Sequence, residues 1–281
     1  MGLYAYALEY IALMGLGYLA GRYLGFKPPP AAFTAVVAAI IFAASAESAR
    51  TIIGNAGYIL AISLVYAFTV STASALPFML TAKKRRASSI SLPKISIVAV
   101  SALITGIAIG YFVEAPYGSA IEPVLFVLLF LAGADIGRLR GLQLSLKLVV
   151  VPAASLAASF AAGLLFYFWT GLSPAVAVGM GWYSFTGPFL LSASGNAVLG
   201  AVGFLANFFR EQLTFLLTPL ISSIAPPESA LAIGGATTMD NTLPLYRSVY
   251  GSEMVIPAVV NGVLLTALVP ALVPLVYQLF P

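Results

Sequence analysis

From Tyr6 to Trp169 the chain passes through six apolar stretches, and the basic residues between them fall almost wholly into alternate loops. The stretches cover about residues 6–24, 32–46, 57–80, 95–113, 123–136 and 148–169. Several approach or exceed the ~20 apolar residues that a helix needs to cross a bilayer. Hydrocarbon offers backbone N–H and C=O groups no partner, so each run has to satisfy its own hydrogen bonds as an α-helix. Charged residues make up only 8% of the 281 and hydrophobic ones 61%, whereas a soluble domain carries roughly a quarter charged. The chain therefore reads as an all-α polytopic membrane protein.

The loop charges set its orientation. Alternate loops hold ten Lys/Arg, at 22, 27, 83–86, 94, 138, 140 and 147, and the opposite set holds only Arg50. Cytoplasmic loops collect such residues, which predicts the N-terminus outside and the Lys83–Arg86 loop in the cytoplasm, in the cytoplasmic (plasma) membrane. The net charge of +4 is thus a topology signal, with the lipid bilayer as partner and no nucleic acid implied. The opening MGLYAYALEY lacks the basic start of a cleaved secretory signal. With neither Cys nor His there is no thiolate metal site, cysteine nucleophile or imidazole proton relay. No cofactor is expected, and a metal site is expected only as oxygen-ligated Na+ near Asp240.

Residues 1–172 form a six-span half, and residues 173–281 a second half of different pattern. Aligning Pro28–Arg50 with Pro116–Arg138 gives seven identities in 23 positions and sets Glu47 opposite Asp135. The charge pattern sends these two copies in opposite directions, so the first half reads as an inverted three-span repeat, a common transporter architecture. In the second half, Gly179–Pro188 parallels Gly235–Pro244. Each is a short apolar run that opens at glycine, passes polar residues and resumes after proline. Each is followed by a long apolar segment, Ala197 to Ser222 and Met254 to Gln278. Two topologies fit: re-entrant hairpins, giving about eight spans, or interrupted crossings, giving ten. Hairpins are preferred because about 20 residues make two half-helices of roughly 12 Å each. Both topologies leave the C-terminus outside.

The candidate solute-binding residues cluster at these breaks. Asp240 sits among Thr238, Asn241 and Thr242, where half-helix ends direct N–H groups at anions and carbonyls at cations. A surface turn with a capping aspartate is the bland alternative. Arg210 and Glu211 lie mid-segment, where each charge costs ~2.5–3.5 kcal/mol. As neighbours on a helix they point apart, so each requires a partner from Asp240, Glu47 or a solute, unless the pair forms a loop between two short helices. Glu47 either faces the cavity or pairs with Arg50 at the interface, and Asp135 and Arg138 read as boundary groups. Trp182 and Tyr183 line the pathway or anchor at the interface, with Ser184 and Thr186 beside them in the first break. Asn207 and Asn261 bind ions or pair across helices. Gly17-x-x-x-Gly21 fits helix packing or a homodimer.

In order and spacing, Gly181-Trp182-Tyr183-Ser184, Arg210-Glu211 and Gly235-Ala-Thr-Thr-Met-Asp240-x-Thr242-Leu243-Pro244 resemble the LysO lysine exporter family, over about residues 174 to 275. The resemblance implies export of L-lysine and its toxic analogues, with essential acids inside the membrane. One of these falls at Asp240. Its counterpart in the first half is placed at Glu47, a glutamate where the family pattern has aspartate. Moving a positive charge out of a negative interior costs ~2.3 kcal/mol per 100 mV, so export implies coupling, most simply antiport with H+ or Na+ at the same carboxylates. Other readings are a cation/proton antiporter, an exporter of another small solute, and an intramembrane acid hydrolase pairing Asp240 with Glu211 or Glu47.

Overall fold

The computed structural model describes residues 3–79, 94–139 and 146–281, and every regular element among them is helical. Lys83–Arg86 and Arg140, which carry much of the orientation argument, lie outside the described residues. The first half consists of α1 (Leu3–Tyr23), α2 (Pro30–Glu47), the short α3 (Ala49–Gly54), α4 (Ala56–Met79), α5 (Lys94–Phe112), α6 (Ile121–Arg138) and α7 (Leu146–Thr170). The second comprises α8 (Ala175–Val178), α9 (Tyr183–Ser194), α10 (Ala197–Ile221), α11 (Pro227–Gly234), α12 (Leu243–Tyr250) and α13 (Val255–Leu279).

By length and composition, five helical stretches among the described residues qualify as membrane-crossing: 30–47, 56–79, 117–138, 148–170 and 252–279. Helices α1, α5 and α10, of 21, 19 and 25 residues, have comparable length. The chain is a multi-pass membrane protein. Large apolar side chains point outward along its flanks, among them Leu64, Phe68, Ile104, Leu165 and Leu216, a surface that only lipid solvates favourably. Hydroxyls inside the helices return to their own backbone, as Ser45 does to the Ile41 carbonyl at 2.7 Å and Thr105 to that of Ser101 at 2.8 Å.

Without a hydrophobic drive between helices in lipid, close packing depends on small residues. Gly17 and Gly21 of α1 press on the Phe130 and Ala134 carbonyls of α6, so a Cβ at either would collide with backbone. Gly106 and Gly110 of α5 press in the same way on Phe42 and Ala46 of α2. The Gly17-x-x-x-Gly21 motif is therefore used inside the chain. In the second half, Gly187 and Gly200 bring α9 against α10, where added side chains would strike Phe204 and Leu191. Between those helices the chain reverses at left-handed Gly195, and the Asn196 carboxamide caps α10 by accepting from Val198 N and Leu199 N at 3.0 and 3.1 Å. α10 is continuous, so Arg210-Glu211 is no loop: both lie buried in the middle of one helix.

Candidate functional site

Both expected breaks are present, and they meet. The first runs from Gly179 to Trp182 with Met180 and Gly181 at φ 53° and 90°; the second opens at Gly235 with φ 61°. Glycine enters this region freely, whereas Met180 does so at a cost. The Met180 carbonyl accepts from Ala236 N at 2.9 Å, and a side chain at Gly235 would run into that carbonyl. One asparagine from the following long helix holds each break. Asn207 donates to Val176 O at 2.9 Å and accepts from Gly181 N at 2.7 Å. Asn261 donates to Gly235 O at 2.9 Å and to Thr238 Oγ1 at 3.1 Å. Of the two expected roles for these asparagines, the structure displays pairing across helices.

Arg210 lies under this crossing, 2% exposed. Its Nε donates to Ile233 O at 2.8 Å and its Nη2 to Ala232 O at 2.9 Å, at the carbonyl end of α11. Nη2 and Nη1 also reach Ser74 Oγ and Ser159 Oγ, at 3.2 and 3.1 Å, and these serines bond each other at 2.8 Å. The expectation of a carboxylate or solute partner is thus corrected. A half-helix terminus carries partial negative charge and unsatisfied carbonyls, and these take the guanidinium. Arg210 does not line the cavity described next.

That cavity, of about 560 Å³, brings together Trp182, Tyr183, Ser184, Glu211, Asp240 and Asn241. Asn241 Nδ2 donates to Glu211 Oε2 at 2.8 Å, tying the second break to α10. Asp240 opens onto the cavity; its Oδ1 accepts from Asn241 N at 2.5 Å, and no Lys or Arg among the described residues pairs with it. The Tyr183 ring packs edge-on against Phe204 and Phe208, both at 5.5 Å, with its hydroxyl toward Asn241, Glu211 and Asp240. The cavity extends to Lys27 and Arg138, which follow α1 and end α6.

The remaining candidates support this site from behind. Thr186 donates to Trp182 O at 2.9 Å, Thr242 to Thr237 O at 2.9 Å, and Thr238 to Ala258 O at 2.8 Å. Glu47 does not join the group. It accepts from Gly118 N at 2.6 Å at the far end of α2, whereas the cavity touches that helix at Phe33, Thr34 and Val37. Ten residues of helix place Val37 and Glu47 about 15 Å apart along the axis. Nor is Arg50 its ionic partner; Arg50 pairs with Glu114 at 2.5 Å. The acid of the first half that does line the cavity is Asp135, 3.7 Å from Arg138. A second cavity of about 260 Å³, between α2, α4, α5 and α10, has Ser45 and Ser48 among its lining and, among the described residues, no acid or base.

A family model described as "Lysine exporter LysO" matches residues 100–277. The curated relative "Lysine exporter LysO" of Escherichia coli (strain K12) is 34% identical over 162 residues, which is 55% of this chain and 54% of that protein. A "Putative lysine exporter" of Haemophilus influenzae is 30% identical over 197 residues, 65% of this chain and 97% of that protein. The chain thus matches about half the length of the first relative and nearly all of the second.

Proposed function

The chain belongs to the LysO lysine exporter family, and on that premise we propose that it is a secondary transporter carrying L-lysine out of the cytoplasm in exchange for protons. The observation that carries this reading is the cavity at the crossing of two broken helices, where Glu211, Asp240 and Asp135 face one space. Such an arrangement suits a cationic amino acid, and acids held at membrane depth persist where they line a pathway. A transporter family also sets aside the acid-hydrolase alternative.

Several contacts support the expected topology. α4 and α7 run antiparallel, with the Tyr66 and Phe166 rings in tilted contact at 4.4 Å and Ser74 hydrogen-bonded to Ser159. The first broken segment leaves the face where α7 ends, with Ser173 bonded by Tyr66 and bonding Phe280 O. Its return, at the start of α10, shares the smaller cavity with the start of α4, on that same face. α13 ends there too, at Phe280, so the second broken segment, which precedes α13, opens on the opposite face. We therefore read two re-entrant hairpins entering from opposite sides and eight spans, with both termini outside. Phe42 and Ala46 are the positions that align with Phe130 and Ala134, and each pair receives two glycines of the other copy's first helix. That exchange supports the inverted repeat. Single cysteines test the hairpins cleanly, since the chain has none of its own. An impermeant thiol reagent is expected to label Asn196→Cys from outside and Ser223→Cys only from inside; ten crossings would reverse the two.

The contacts of Arg210 support protons over Na+ as the coupling ion. In broken-helix transporters, Na+ is coordinated by unwound backbone carbonyls and half-helix C-terminal ends. Here the guanidinium fills that place on α11, and Asn261 and Thr238 fill the adjoining Gly235 carbonyl. Coupling accordingly falls to proton exchange at the cavity carboxylates. Proteoliposomes loaded with labelled lysine are expected to release it faster under an inward proton gradient and at the same rate with or without Na+. Release no faster than from protein-free vesicles would overturn the transport reading, and release that requires Na+ would overturn the proton assignment.

A further inference from the structure

Three carboxylates line the cavity, of which Asp135 neighbours Arg138, and a bound amino acid also needs a seat for its own carboxylate. Arg210 is sealed beneath the crossing, and Lys27 and Arg138 stand at the cavity's end. The first turn of α9 supplies what is missing. α9 has 12 residues, its N-cap is Trp182, and no side chain caps it. Ser184, at the second helical position, lines the cavity while only 4% exposed. Thr186 N and Phe185 N bond back to Trp182 O, and Tyr183 N to Gly181 O, but among the described residues Ser184 N meets no acceptor and the Ser184 hydroxyl meets no partner. The hydroxyl and backbone N–H of one largely buried residue thus stand unpartnered at the cavity wall, at the positive end of a helix. Leaving such groups unmet is costly, and helix N-termini receive carboxylates readily.

We propose that Ser184 is the carboxylate seat of the solute site: its Oγ–H and N–H hold the α-carboxylate, while Glu211 and Asp240 face the ammonium groups. The chemical class is a zwitterion carrying an extra cation, and the proposal rests on the transport reading for its lysine. The geometry orders the solute across the cavity, carboxylate toward the first break and ammonium groups toward the second. The seat distinguishes an amino acid from a diamine, which the carboxylates alone would not do.

The test is ligand binding by the full-length protein in nanodiscs, comparing lysine, lysinamide and 1,5-diaminopentane. Wild type is expected to prefer lysine to lysinamide by about tenfold, the worth of one charge-assisted hydrogen bond at the lower end of its range. Ser184→Ala is expected to close most of that gap with an unchanged melting temperature. Ser184→Asp, an acid well tolerated in a first helical turn, is expected to reverse it in favour of lysinamide. A lysine-to-lysinamide ratio that is the same in wild type and Ser184→Ala would overturn the assignment, as would equal binding of all three ligands by wild type. If another amino acid binds in place of lysine and shows the same Ser184-dependent preference over its amide, the seat stands and the lysine assignment falls.

Discussion

Lysine efflux through Asp240→Asn is expected to fall by about a hundredfold, with normal insertion and an unchanged melting temperature. The carboxylate contributes a charge to the cavity and little to the fold. Its Oδ1 accepts one backbone N–H, from Asn241, and the carboxamide oxygen of asparagine keeps that bond at nearly the same shape. No base among the described residues is left unpaired by the change. On the proposed exchange mechanism, what disappears is a charged acceptor for the ammonium of the solute and a group able to exchange a proton for it. A charge-assisted hydrogen bond is worth roughly 1.5–3 kcal/mol, and the upper end of that range is about two orders of magnitude in occupancy. Efflux of labelled lysine from proteoliposomes, beside a thermal melt of the same preparation, reads both halves of the expectation. Efflux at the wild-type rate would remove Asp240 from the mechanism. Glu211→Gln offers a contrast: the amide oxygen can still accept from Asn241, so a loss of efflux there would again report the charge.

How much of this was legible in the chain depends on how local the cause is. The bilayer imposes apolar runs of fixed length, so the helices of the first half follow from sequence almost directly. The second break is also locally written, since the Gly234-Gly235 pair permits the positive φ and Pro244 starts the next helix. Arg210 was readable as anomalous but not as solved. Its serine partners lie 136 and 51 residues away in sequence, and its carbonyl partners are exposed only because α11 ends where it does. A lone buried arginine in a sequence calls for an acid, and a helix terminus as its partner depends on where α11 ends in the fold. Glu47 and Asp135 show a different limit. The repeat places them opposite one another, so the sequence names both acids; only packing reveals that Asp135 lines the larger cavity while Glu47 secures a turn at the other end. The alignment itself held the signal for Asp135.

The sealed guanidinium makes the second large prediction. Arg210→Met is expected to destabilise the protein by about 2–6 kcal/mol, because each buried carbonyl left without a donor costs ~1–3 kcal/mol. Two such carbonyls, of Ala232 and Ile233, depend on Arg210. The serines suffer less, since Ser74 keeps its bonds to Ser159 and to Val70 O, at 2.8 and 2.7 Å. Arg210→Lys is expected to recover roughly half of the loss: an ammonium has three donors but cannot span two carbonyls and two hydroxyls as a planar fork does. Thermal melts in one detergent measure the ranking of wild type, lysine and methionine variants. A binding role for Arg210 predicts the opposite pattern, with lysine affinity lost and the melting temperature kept, and that outcome would overturn the clamp. The clamp also bears on ion choice. With a small polar residue at this position, as in Arg210→Ser, the α11 carbonyls face an unfilled space suited to a cation. Na+ is then expected to raise the melting temperature of that variant while leaving wild type unmoved; equal responses would mean that the guanidinium is not standing where a coordinated cation would.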